Sequence, residues 1–251
     1  GRVQFGMGTY GSRSGSVGMS ALANALDKIE AKAKKIAAHL MEADSGDIVL
    51  KDGVFTVAGT DKELAWAELA LGAYTGHGFP TSEIEPGLKE NAFYDPLNFT
   101  FPSGCHICEV EIDPETGVTQ IAQFVAVDDF GVIVNPMIVE GQVHGGIAQG
   151  IGQALFEAAH YDETGQLLTG SFMDYGMPRA DDMPDFNLGF TQTDCPSNPM
   201  GMKGCGEAGS IASPPAVINA ITDALGVRDI KMPAHPARVW GTLVARTAGS
   251  D

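Results

Sequence analysis

Residues 204–209, Gly-Cys-Gly-Glu-Ala-Gly, set a single carboxylate, Glu207, among glycine, alanine and cysteine, shortly before a helix expected from Pro214. A carboxylate with small apolar neighbours is poorly hydrated, which suits it to general-base work. A helix cap or an exposed turn is the ordinary alternative for one such glutamate. A second constellation opens the chain. Residues 6–14, Gly-Met-Gly-Thr-Tyr-Gly-Ser-Arg-Ser, place hydroxyls and one guanidinium in a glycine-rich loop ahead of a helical stretch. Backbone N–H groups at a helix start, hydroxyls and Arg13 together make a good phosphate cradle. The loop also matches G-x-G-x-x-G, the dinucleotide fingerprint. A nicotinamide site would need an apolar strand before it and an acidic residue about 20 positions on, at a strand end. Only four residues precede the turn beyond Phe5, and Asp27 and Glu30 fall inside a helical pattern, so that reading is rejected.

A third glycine cluster, residues 141–152, carries Gln142, His144 and Gln149. Buried polar groups need partners, so a ligand contact is expected for Gln142 before Gln149, whereas a lone His144 reads as structural. Cys105 and Cys108 form C-x-x-C without a second pair, and at strand spacing they face opposite ways; both read as structural. Glycine concentrated at three separated points, each beside an expected helix, favours one shared ligand over three unrelated turns.

The elements that must hold these loops follow from periodicity. Met19, Leu22, Leu26, Ile29 and Ile36 predict a long helix over 17–40. Residues 47–50 and 54–57 predict a hairpin around Asp52-Gly53, and Thr60-Asp61 predicts the cap of a helix running to about Leu71. Residues 76–103 read as an irregular connection, placing the internal boundary between subdomains 1–98 and 99–251. Alternation over 103–112 and 118–127 predicts a second hairpin, residues 137–159 a buried helix, and Pro214 and Pro236 the first turns of two more helices. The first residues, Arg2-Val3-Gln4-Phe5, read as strand or loop. The class is α+β.

Composition narrows the function. The 251 residues hold 15 Lys and Arg against 32 Asp and Glu, a formal charge of −17. The one basic cluster, 28–35, is interrupted by Glu30, which argues against nucleic acid. No apolar run reaches the roughly 18 residues of a membrane span, and no signal-peptide pattern opens the chain. Four cysteines are too few for a disulfide scaffold, which fits a cytoplasmic setting. A start at Gly1 with the first methionine at position 7 suggests the C-terminal piece of a longer chain.

The ordered set Gly-Met-Gly-Thr-Tyr-Gly-Ser-Arg-Ser (6–14), Val-Asp-Asp-Phe-Gly-Val-Ile-Val-Asn-Pro (127–136), Glu-Gly-Gln-Val-His-Gly-Gly (140–146) and Lys-Gly-Cys-Gly-Glu-Ala-Gly (203–209) strongly resembles the molybdenum hydroxylases, the family of xanthine oxidase, aldehyde oxidase and aerobic carbon monoxide dehydrogenase. The resemblance covers essentially the whole chain and implies the C-terminal, molybdopterin-binding part of the large subunit, with mixed sheets packed against long helices. It implies that Gly8, Thr9, Tyr10, Gly11, Ser12, Arg13 and Ser14 contact the pyrophosphate of a molybdopterin dinucleotide, the cytosine form being common in bacteria. It implies that Asp128, Asn135, Gln142, Lys203 and Gly206 line the cofactor, that no side chain ligates the metal, and that Glu207 is the general base on a metal-bound hydroxyl. The implied reaction hydroxylates an electron-poor carbon of an aldehyde, an N-heteroaromatic or a related small molecule with oxygen from water. The implied partners are the N-terminal part of the large subunit, a [2Fe-2S] subunit and an FAD subunit. The alternative is a non-catalytic cofactor-binding fragment that needs a complementary chain.

Overall fold

The computed structural model describes residues 5–248; the strand-or-loop reading of Arg2, Val3 and Gln4 lies outside them. The described chain clusters into two compact units. One combines the residues up to Ser16 with those from Leu97 on; the other is Val17–Pro96. The glycine loop falls in the unit that also holds the C-terminal residues.

In the smaller unit lies most of helix α1 (Ser14–Met41), which begins three residues before the expected start. Its Ala33, Ile36 and Ala37 are fully buried with Phe55, Leu69 and Ala73. Strands β1 (Ile48–Lys51), β2 (Val54–Val57) and β3 (Glu63–Ala65) form an antiparallel meander. Asp52 and Gly53 both take positive φ, 51° and 79°, the two-residue turn that matches strand twist. The expected cap at Thr60-Asp61 is not one. Residues 63–65 pair with β2 instead, and helix α2 (Trp66–Thr75) starts at Trp66, whose ring stacks on Phe55 at 5.4 Å. Pairing and ring burial outweigh the local capping signal.

The larger unit is built on a mixed sheet. Strands β4 (Ser103–Ile112) and β5 (Thr119–Asp129) pair antiparallel as the alternation predicts, and β6 (Phe186–Thr191) adds parallel to β5. A parallel neighbour needs a crossover, and the chain between β5 and β6 contains helix α3 (Pro136–Leu155), which Asn135 caps by accepting the Ile138 N–H at 3.2 Å. Helix α4 (Ala208–Leu225) packs on α3 and β4. It begins six residues earlier than Pro214 suggested, and both Pro214 and Pro215 sit inside it. Helix α5 (Pro236–Ala248) closes the described chain. The core joins Phe124 and Phe130 to Val143, Ile147 and Ile151 of α3 and Val217 and Ile221 of α4. Cys105 is exposed and Cys108 half-buried on the opposite face of β4, and burial pushes the Cys108 thiol up to about 11. Among the described residues no helix is long and apolar enough to cross a membrane.

Candidate active site

The glycine loop and the Glu207 loop, 195 residues apart, meet through one side chain. Ser12 Oγ donates to Glu207 Oε2 at 2.8 Å and accepts the Glu207 N–H at 2.9 Å. Gly204 lies so close to Ser12 that a Cβ there would come within 2.7 Å of the serine Cβ. Gly206 sits beside them, a Cβ on it lying 3.5 Å from both Ser12 Oγ and Gln142 Oε1. Gln142 is thus brought to the same place from the exposed side of α3. Gln149 lies further along that helix and is exposed, as is His144, whose ring tilts on Phe186 at 5.3 Å.

The loop is preshaped. Gly8 and Gly11 take φ of 79° and 57°, Thr9 and Ser14 share a 2.6 Å hydroxyl bond, and Arg13 donates to the Tyr10 hydroxyl at 2.7 Å. Gly6, Gly8 and Gly11 have open space where side chains would stand, so the backbone is accessible. The first turn of α1 begins at Ser14, where orphan N–H groups favour an anion. This donor set suits a phosphate.

Glu207 ends the loop and sits at the N-cap of α4. The expected desolvation is not met within this chain: Glu207 is exposed, at the mouth of a cavity of about 410 Å³. Gly11, Ser12, Asp128 and Ala208 line that cavity, together with Phe99 and Phe101. The two rings meet edge to face at 6.0 Å, and Phe101 holds a φ of 47°, a backbone state that bulky residues rarely adopt. A second cavity of about 420 Å³ opens at the other end of β5 and holds none of the predicted residues.

Asp128 and Lys203 face inward. Asp128 is 4% exposed, both carboxylate oxygens lying 3.2 and 3.3 Å from His106 Nε2, while His106 Nδ1 is buried without a partner. Lys203 Nζ donates to Asp129 at 3.0 Å. Burial pushes Asp129 up, yet bonds from Thr193, Gly131 and Lys203 more than offset it and hold the carboxyl well below its usual range. Asn135 is occupied in capping α3. Sequence reasoning passed over His106, although strand alternation put it on the inward face, and Thr100, whose hydroxyl accepts the Gly204 N–H at 3.1 Å. Among the described residues no cluster of three or more His, Cys, Asp or Glu could hold a metal ion.

The Asp129 pair carries a pH prediction. A carboxylate held below its unfolded value of about 3.9 adds stability that is complete above that value and is lost as pH falls through the folded one. Lys203→Met is expected to cost roughly 1–3 kcal/mol at pH 7, a difference that persists through the usual carboxylate range because the folded Asp129 stays ionised there. Urea midpoints at pH 7 measure it; a loss under about 0.5 kcal/mol there would rule out the ion pair as a source of stability.

Comparison with known proteins gives one consistent picture. A family described as molybdopterin cofactor-binding domain matches residues 1–184. The carbon monoxide dehydrogenase large chain of Hydrogenophaga pseudoflava is 41% identical over 243 residues, 95% of this chain and 30% of that one. The nicotine 6-hydroxylase large subunit of Paenarthrobacter nicotinovorans is 38% identical over 239 residues, 94% of this chain and 29% of its own length. Among solved structures, Cu,Mo-CO dehydrogenase superposes with a TM-score of 0.90 at 39% identity, covering 99% of this chain and 31% of that one. Quinoline 2-oxidoreductase from Pseudomonas putida 86 gives 0.88, also at 39%, covering 97% and 31%. The chain spans about 30% of the length of these relatives. It belongs to the molybdopterin cofactor-binding family, in the large-subunit line of the molybdenum hydroxylases.

Proposed function

We propose that this chain is the cofactor-binding, base-bearing part of a molybdenum-dependent oxidoreductase that hydroxylates an electron-poor carbon. One observation carries the reading: the anion loop and the Glu207 carboxylate are hydrogen-bonded to each other and line one cavity. The molybdenum–molybdopterin group, when bound, supplies the two-electron redox centre. This chain's residues do the rest. The 8–14 loop and the first turn of α1 hold the dinucleotide phosphates, with Arg13 countering their charge. Gln142, brought beside Gly206, offers an amide to the cofactor face. Ser12 engages Oε2 of Glu207, so Oε1 is the oxygen that takes the proton during hydroxylation.

Asp128 acts from the cavity wall and Lys203 through Asp129, while Asn135 fixes the start of α3. The wider proposal places this part with an N-terminal region of the large subunit that shields Glu207 from water, a [2Fe-2S] subunit and an FAD subunit, in the cytoplasm, with the cytosine dinucleotide form of the cofactor. The relatives named for carbon monoxide, nicotine and quinoline favour a small-molecule substrate.

Metal and nucleotide analysis of the intact complex tests this. Near-stoichiometric molybdenum with CMP released on acid hydrolysis is the expected result, and absence of molybdenum would reject the reading. Arg13→Ala is expected to weaken cofactor retention about 10–100-fold, the worth of one charge-assisted bond, read as nucleotide content after dialysis. Full retention would remove Arg13 from the phosphate site.

A further inference from the structure

The hydroxyl of Ser12 is committed on both sides. Its one proton goes to Glu207 Oε2, and it accepts the backbone N–H of the same residue. A serine hydroxyl has a single donor, so none remains for a phosphate. Ser12 also holds a φ of 55°, the left-handed region in which a residue with a Cβ is disfavoured. The backbone around Glu207 has further anchors besides Ser12. Lys203 N–H donates to the Phe130 carbonyl at 2.8 Å, Gly204 N–H to Thr100, and Gly209 packs against the backbone of α3. What those contacts leave loose is the glutamate side chain, with three torsions and a carboxylate exposed at the cavity mouth.

We propose that Ser12 is the positioning residue for Glu207: it fixes the carboxylate for proton transfer and is not a phosphate contact, although it lies within the anion loop. The inference rests on Glu207 as the base. The strained φ at Ser12 then has a use, since in that conformation its Oγ reaches both the N–H and the carboxylate of Glu207. A base held in one rotamer reaches its proton without a search, and misplacement by about 1 Å can cost on the order of 100-fold.

Ser12→Gly separates this role from a structural one, because glycine relieves the left-handed backbone while deleting the hydroxyl. In the cofactor-loaded enzyme with its full large chain and partner subunits, Ser12→Gly is expected to keep its melting temperature and its molybdenum and CMP content. Its kcat should fall about 10–100-fold with KM within about twofold. Ser12→Ala keeps the Cβ and the strain and is expected to match it in kcat. A crystal structure of Ser12→Gly should show the Glu207 carboxylate displaced. Glu207→Gln on the same preparation separates the two failures. If Glu207→Gln abolishes turnover while Ser12→Gly stays within twofold of the parent, the positioning role is overturned and the base stands. If Ser12→Gly loses CMP in step with activity, Ser12 is a cofactor contact and the proposal falls. If Glu207→Gln itself turns over normally, the base reading fails first.

Discussion

Replacing Glu207 with glutamine lowers kcat/KM by about 10³-fold in the assembled enzyme, the middle of the range for a general base, and leaves the fold and the cofactor content unchanged. Glutamine has the same shape, and its amide oxygen can accept the Ser12 hydroxyl that now goes to Oε2 at 2.8 Å. The backbone bond from residue 207 to Ser12 Oγ does not involve the side chain. An exposed substitution that keeps its neighbours changes stability by no more than about 0.5 kcal/mol. The amide nitrogen that then stands where Oε1 was, however, cannot take up a proton. Loss of turnover with full molybdenum content is therefore the signature of a missing base. Turnover within a few fold of the parent would remove Glu207 from that role.

Adding one methyl group at Gly209 is expected to cost about 3 kcal/mol, the upper end for overpacking, and to lower the melting temperature by roughly 6–12 °C. Helices α3 and α4 touch through Gly146 and Gly209 without side chains between them. A Cβ on Gly209 would lie 2.6 Å from the Val143 carbonyl oxygen and 2.7 Å from the Ile147 amide nitrogen. Those are backbone atoms of a buried helix, so no rotamer change can clear them. Spreading the helices would open the contacts of Val143, Ile147, Val217 and Ile221, all fully buried. It would also shift Glu207, two residues away, from Ser12. Thermal unfolding of Gly209→Ala measures the cost, and a loss under about 1 kcal/mol would mean that the helices separate easily.

What could be read from the chain depended on how far apart the interacting groups lie. The hairpin at Asp52-Gly53 and the pairing of β4 with β5 each join strands adjacent in the chain through one short turn, and local patterning captured them. The start of α2 was misread because Thr60 and Asp61 have capping chemistry, while pairing with β2 decides the backbone at Glu63. The start of α4 was misread for the opposite reason. Proline favours a first turn, yet Pro214 sits at a depth where its ring packs against α3, beside Gly150. The candidate site was legible as a set of residue types, through ordered motifs. Its wiring was not: nothing local says that Ser12 bonds Glu207, that Lys203 serves Asp129, or that Asp128 meets His106.

The 195 residues between Ser12 and Glu207 set an order of events during synthesis. A ribosome adds about 5–20 residues per second, so the anion loop emerges roughly 10–40 s before its partner. Through that interval the nascent loop has neither the Glu207 bonds nor the packing of Gly204 against it. Cofactor delivered to the emerging chain would meet half a site. The complete site, with Ser12 bonded to Glu207, forms only once α4 has docked on α3.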